Sequence, residues 1–151
     1  MEMNRRDAVA AMMAFASMGV LAEAQGAALD DAALRVSKVF HFDEMKVSNF
    51  ANGGWGRAVM HGTLPTGEFV EVHETMLPAG KEPHPPHKHS HSEFLLIQEG
   101  TLEYSDEGNL MPCGPRDVVF SASMRMHGLK NVGTTPARYF VVAVGVQKAE
   151  A

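Results

Sequence analysis

The sequence predicts an all-β domain, a sandwich or barrel of the jelly-roll kind, and three features carry that prediction. Short runs rich in Val, Ile, Phe, Tyr and Thr recur along the chain after residue 38. Turn-forming clusters separate them at near-even spacing, among them Asn52-Gly53-Gly54, Pro65-Thr66-Gly67, Pro78-Ala79-Gly80 and Asn131-Val132-Gly133. The composition agrees, with 14 Gly and 8 Pro in 151 residues.

Taken in order, the chain opens with Met3-Asn4-Arg5-Arg6-Asp7, a mild apolar stretch Ala8–Ala22 and an Ala22-Glu23-Ala24 triplet. A basic pair, an apolar region and an A-x-A site stand in the order of a bacterial export signal. The adjacent arginines are similar to those of a twin-arginine signal. Residues 1–24 are therefore expected to direct the protein to the periplasm; the alternative is an uncleaved N-terminal helix on a cytoplasmic protein. Residues 25–37 read as a linker or short helix, with Asp30 or Asp31 capping Ala32–Val36. Residues 38–148 form the β domain. Its strands are expected at Val39–Phe42, Trp55–His61, Phe69–Leu77, Lys88–His89, Phe94–Gln98, Leu102–Tyr104, Asp117–Phe120, Arg125–Lys130 and Ala137–Val146. The last of these is apolar on both faces through Tyr139-Phe140-Val141-Val142-Ala143-Val144, so both faces are expected to be covered.

Several classes of function are excluded early. A net charge of −5 offers no basic footprint for nucleic acid. The longest mostly apolar run, Ala8–Ala22, falls short of the roughly 20 residues a membrane-spanning helix needs. Cys113 is the one cysteine, so no disulfide forms within the chain, and its place among Pro112, Gly114 and Pro115 reads as a turn.

The chemistry concentrates between Gly80 and Gly100, where His87 and His89 are followed by Glu93. In an extended chain the two histidines point the same way about 6.6 Å apart, close enough to lean onto one ion. Glu93 reaches that ion only if the chain folds back near Ser90-His91-Ser92, giving a metal hairpin whose return strand is Glu93–Glu99. A further ligand has to come from elsewhere in the chain, and His127 stands after a Pro/Gly turn and a β-rich run in Gly114–Asn131. His84 and His91 are read as solvent-facing strand residues.

These two stretches resemble the two motifs of the cupin superfamily. The first has glycine, a spacer, His-x-His, three residues, Glu, six residues and Gly; the second has a His followed four positions later by Asn, here Asn131. The spacer from Gly80 to His87 is one residue longer than usual, and Arg116, Ala122 and Met124 stand where the family usually has Gly, Pro and Gly. The resemblance covers roughly residues 70–146. It implies a single-domain cupin jelly-roll β-barrel with an N-terminal helical segment, and metal ligands at His87, His89, Glu93 and His127. It also implies a homodimer, as small cupins commonly pair.

Three imidazoles and one carboxylate suit one divalent transition metal ion per chain. Mn or Fe is expected if a folded protein is exported with its site filled, with Zn, Ni and Cu as the other candidates. Parity with Glu93 and His127 turns Leu95, Ile97 and Leu129 towards the same interior, so the pocket is apolar around a charged centre and suits a small organic molecule. His61, Glu71, His73 and Glu74 offer acid–base groups, read as solvated groups on an edge strand; alternation separates Glu71 and His73 from Glu74, and no general base is named. The expected function is a metal-dependent small-molecule enzyme, oxygenase chemistry being placed ahead of a Lewis-acid lyase or isomerase. The alternative is a non-catalytic protein that uses the metal to hold a carboxylate or sugar.

Overall fold

Turn residues divide the chain into strands too short to bury a core alone, so the strands stack as two sheets. A computed structural model describes residues 34–145. The expected signal at 1–24, most of the 25–37 segment and the end of the 38–148 domain lie outside the described residues. The strands are β1 (Val47–Asn49), β2 (Trp55–Thr63), β3 (Phe69–Leu77), β4 (Ser92–Glu99), β5 (Leu102–Asp106), β6 (Asn109–Cys113), β7 (Val118–Ser121), β8 (His127–Asn131) and β9 (Ala137–Gly145). One sheet runs β1-β2-β3-β9-β4-β7 and the other β6-β5-β8. Every pairing is antiparallel. Among the described residues no helix is long and apolar enough to cross a membrane.

The core is built from alternate residues of both sheets. Leu77, Leu95, Ile97, Leu102, Tyr104, Leu129, Ala137, Tyr139 and Val141 form one buried cluster, which includes the three interior positions expected from parity, Leu95, Ile97 and Leu129. β9 lies between β3 and β4, so its odd-numbered residues enter the core while Phe140, Val142 and Val144 form part of the outer face.

Several expected strands differ. Val39–Phe42 is not a strand; a 3-10 turn at Phe42–Glu44 and the short β1 follow instead. β6 lies between two turn signals and carries Pro112, which an edge strand tolerates because its missing N–H faces away from the ladder. The chain folds back at Ser90-His91 into β4 as expected, but Lys88–His89 is not a strand and makes no hairpin arm. His87 instead bridges His127, with His87 N donating to His127 O at 2.9 Å and His127 N to His87 O at 2.8 Å.

That bridge belongs to a longer seam. Asn131 N donates to Lys81 O at 2.9 Å, Gly80 N to Asn131 O at 2.9 Å and Met124 N to His89 O at 2.8 Å. The connection from Gly80 to His89 therefore tracks β8 as an interrupted extra strand of the smaller sheet. Pro83, Pro85 and Pro86 have no N–H to donate, which explains why the ladder breaks between its ends.

Two positions show how tightly the turns are drawn. Gly100 has φ 95°, and a Cβ there would collide with Ala137, so only glycine makes the turn from β4 to β5. Arg116 and Met124, which stand where the resemblance expects glycine, adopt φ 77° and 63°. The left-handed backbone is kept without the residue that adopts it freely.

Asn131 is fully buried at the end of β8. Its Nδ2 donates to Leu77 O at 2.9 Å and Thr135 O at 2.8 Å, and its Oδ1 accepts from Gly133 N at 3.0 Å. Asn131→Ala strands these backbone groups and is expected to lower stability in urea unfolding by about 3 kcal/mol.

Candidate metal centre

Three segments deliver three histidines and a glutamate to one place. His87 and His89 come from the proline-rich connection, His127 opens β8, and Glu93 stands second in β4 on its inward side. Ligand atoms of His87, His89 and His127 lie within 4.8 Å of one another. The rings are 5.2 Å apart for His87–His89, 4.7 Å for His87–His127 and 4.7 Å for His89–His127. Glu93 Oε1 is 3.2 Å from His89 Nε2, and Oε2 is 3.9 Å from His127 Nε2. All four expected residues therefore meet in one cluster.

The hydrogen bonding leaves the cluster short of donors and rich in lone pairs. His89 Nδ1 bonds the carbonyl of His91 at 2.9 Å, and His127 Nδ1 bonds that of Arg125 at 3.0 Å. A carbonyl only accepts, so each Nδ1 carries the proton and each Nε2 of the neutral ring is left with a lone pair. His87 Nδ1, His89 Nε2 and His127 Nε2 are buried and have no hydrogen-bond partner. With the proton on Nδ1, His89 Nε2 faces Glu93 Oε1 lone pair to lone pair, a contact that a shared cation relieves. Buried polar atoms are ordinarily satisfied, so three orphaned nitrogens facing one another beside a carboxylate fit a cation with nitrogen and oxygen ligands. Backbone carbonyls that orient the rings from behind match the outer-shell support such ions need.

Protonation agrees with that fit. Burial, followed by the charges of His84, His127 and His89, pushes His87 down to about 4. Burial also lowers His127. For His89, burial opposes the charged form, but the Glu93 carboxylate outweighs it and the net shift is upward. Burial opposes ionisation of Glu93 as well, yet His89 and His91 hold it well below the usual carboxylate range. At neutral pH the cluster therefore presents two neutral imidazoles and an ionised carboxylate, the forms a metal ion binds.

The two histidines expected to face solvent do not. His91 stacks on His89 with ring centres 3.7 Å apart, and its Nε2 lies 3.2 Å from Glu93 Oε1, so His89, His91 and Glu93 form a second, overlapping group. The turn at Ser90 swings His91 back onto the cluster. His84 meets His87 edge-on at 4.1 Å. Tyr104 is outside the residues the motifs mark; its ring stacks over His127 at 6.1 Å, and parity with buried Leu102 on β5 is the signal that places it inside. Glu74 is neither solvated nor on an edge. β3 lies between β2 and β9, and Glu74, 2% exposed, is held on the outer side by Arg57 at 3.2 Å and Arg138 at 3.8 Å.

Comparison with known proteins bears on this arrangement. Residues 72–143 match the family described as cupin domain. The barrel has the cupin fold. KdgF from a Halomonas species superposes with TM-score 0.61 at 18% identity, over 73% of this chain and 96% of that one. A protein described as a predicted oxalate decarboxylase from Thermotoga maritima gives TM-score 0.59 at 23% identity, covering 72% and 100%. The polyketide cyclase RemF from Streptomyces resistomycificus gives 0.59 at 17%, covering 76% and 88%. At these identities the likeness is one of fold. A search of curated proteins by sequence finds no match. In this cupin barrel the matched region contains the whole His/Glu cluster.

The His87 shift has a consequence for metal-free protein. Its folded value of about 4 lies below the ordinary 6.5, so the unfolded chain binds more protons between those values and stability falls as pH drops from 6.5 towards 4. His127 acts in the same direction and His89 against it. Thermal melts of metal-free His87→Gln are expected to fall less steeply across this range than those of the wild type.

Proposed function

We propose that His87, His89, His127 and Glu93 hold one divalent transition metal ion and that this cupin domain acts on a small, partly apolar oxygenated molecule. The observation that carries the reading is the set of three buried, unpartnered imidazole nitrogens converging beside the Glu93 carboxylate. Bound there, such an ion supplies Lewis acidity to a carbonyl or water, or a site for oxygen if it is Mn or Fe. The chain's own residues do the rest. Leu95, Ile97 and Leu129 wall the interior with apolar surface that keeps bulk water away, and Tyr104 offers a phenol over His127 whose ionisation burial disfavours. Oxygenase chemistry and Lewis-acid lyase or isomerase chemistry both use this centre; oxygen uptake on candidate phenols and diketones separates them. A purely binding protein would instead give stoichiometric binding without conversion. Export by the twin-arginine-like signal, with the site filled beforehand, favours Mn or Fe over Zn, Ni or Cu.

Elemental analysis tests the ligand set. Protein from its own host is expected to carry about one metal per chain, falling at least roughly tenfold in His127→Ala and unchanged in Lys88→Ala, an exposed neighbour on the same connection. His91→Ala separates the overlapping groups: metal retained there assigns the three-histidine set with Glu93, and metal lost there but kept in His127→Ala assigns His89, His91 and Glu93.

The outer face of β4 and β7 supports a homodimer. Phe94, Leu96, Val118 and Phe120 are 41%, 42%, 62% and 56% exposed on one continuous side of the sheet. Apolar surface of this extent on a twisted sheet suits a second copy of the same face. Phe120→Glu is expected to shift a dimer to monomer in sedimentation equilibrium while leaving metal content unchanged.

A further inference from the structure

The strand registers carry a row of inward side chains across the larger sheet. His61 pairs with Glu71, Glu71 with Ala143, Ala143 with Glu93, and Glu93 with Ser121. Opposite residues in antiparallel strands share a face, so His61 and Glu71 look into the same barrel mouth as Glu93. His73, two positions further along β3, lies on that face too, opposite Val141 of the core. Its Nδ1 lies 3.1 Å from Glu71 Oε1. Neither side chain is solvated on the outside: the His73 and Glu71 side chains are 17% and 24% exposed. Among the described residues no arginine or lysine pairs with Glu71, whereas Glu74, on the opposite face of the strand, is held by two arginines. His61 adds a buried Nδ1 with no hydrogen-bond partner. Folding explains Glu74; it does not explain Glu71, His73 and His61.

The chemistry of the pair follows from its hydrogen bond. An ionised Glu71 only accepts, so His73 donates from Nδ1, and the neutral ring then keeps its lone pair on Nε2. A carboxylate-oriented imidazole with a free Nε2 is a general base. Its position relative to the metal cluster is set by the sheet: Glu71 and Glu93 are separated by the single strand β9, about 10 Å between Cα atoms, with only the small side chain of Ala143 between them in the row. A six-coordinate ion held by these four residues would keep two positions, and a 2-oxo or 2-hydroxy acid offers two oxygens to fill them.

We propose that Glu71 and His73 form the proton-accepting half of the site, taking a proton from the carbon next to the carbonyl of a small 2-oxo acid held at the His/Glu cluster. This rests on the metal-site reading above. In the step, the C–H bond breaks and its electron pair forms the enolate C=C, the carbonyl π pair moves onto the oxygen, and the proton forms an N–H bond at His73 Nε2. The resulting imidazolium is balanced by Glu71. Return of a proton from Nε2 to carbon closes the cycle, and no oxidant or reductant is consumed. His61 is a polar neighbour that receives the far end of the molecule.

Pyruvate in D2O is the probe, with full-length protein loaded with zinc and proton loss from the methyl group followed by NMR. Zinc content and pyruvate affinity are measured on the same samples. The wild type is expected to exchange protons faster than an equal concentration of zinc salt. His73→Gln is expected to slow exchange about 100-fold and Glu71→Gln about tenfold, with zinc content unchanged and pyruvate affinity within about threefold. Zinc bound but exchange equal in all three proteins, or wild type no faster than zinc salt, overturns the dyad and leaves the metal site standing. Protein that holds no zinc overturns both readings. A loss of affinity equal to the loss of rate overturns the general-base role in favour of binding alone.

Discussion

The pair of backbone hydrogen bonds between His87 and His127 is the constraint on which the rest of the site depends. Those residues are 40 positions apart in sequence, and each belongs to a segment that would otherwise have no reason to meet the other. The bridge fixes their Cα atoms side by side, and the Lys81–Asn131 and His89–Met124 contacts at either end keep the connection in line with β8. Prolines inside the connection prevent a full ladder, which leaves the histidine side chains free to turn inward instead of being tied into a regular sheet. Three imidazoles can then converge without any one of them being packed as an ordinary core residue.

Backbone strain is placed where it serves this seam. Met124 adopts a left-handed conformation at a cost of about 1–2 kcal/mol relative to a glycine-free turn of ordinary geometry. From that conformation its N–H meets the carbonyl of His89 at 2.8 Å, while Ser123 bonds Ser90 O through its hydroxyl at 2.8 Å. The loop before β8 thus grips the loop that carries His89 and His91. Arg116 makes the same concession at the turn into β7, where its N–H reaches Ile97 O at 2.9 Å. Glycine would reach both conformations more easily, but it would also leave the turns looser in the unfolded chain.

How much of this was legible in the sequence depends on whether a feature is local. The parity of Leu95, Ile97 and Leu129 is local, and the structure places those side chains in the core as the periodicity implies; the His-x-His and Glu spacing is local too, but its residues meet through the bridge to β8 and not on a strand. β3 reads correctly from Phe69 to Leu77 because its turn residues and its apolar run agree. β6 was hidden because Gly108 and Pro112 are turn formers, and only its edge position makes a proline acceptable there. The fold-back at Ser90 is present, but its outgoing arm is not a strand for a different reason: His87 finds its partner on β8, a non-local pairing that no window of sequence shows. The inward swing of His91 follows from that error, since a residue in a hairpin strand would alternate outward and a residue in this turn does not. Glu74 was misread because its environment is set by Arg57 and Arg138, which come from β2 and β9.

Three glutamates in and around one strand show what decides their roles. Glu74 lies on the outer face and is neutralised by arginines, so it serves packing. Glu93 and Glu71 lie on the inner face and meet imidazoles instead. Burial keeps His87 and His127 neutral, and Arg125 at the rim is already held by Asp106 at 2.7 Å, so apart from the histidines beside Glu93 the barrel mouth has little fixed positive charge to balance its carboxylates. Carboxylates in a partly dry interior are costly without a counter-charge. A divalent cation held at the histidine cluster, as proposed, would supply it, and would favour an anionic oxygen ligand beside Glu71 and His73.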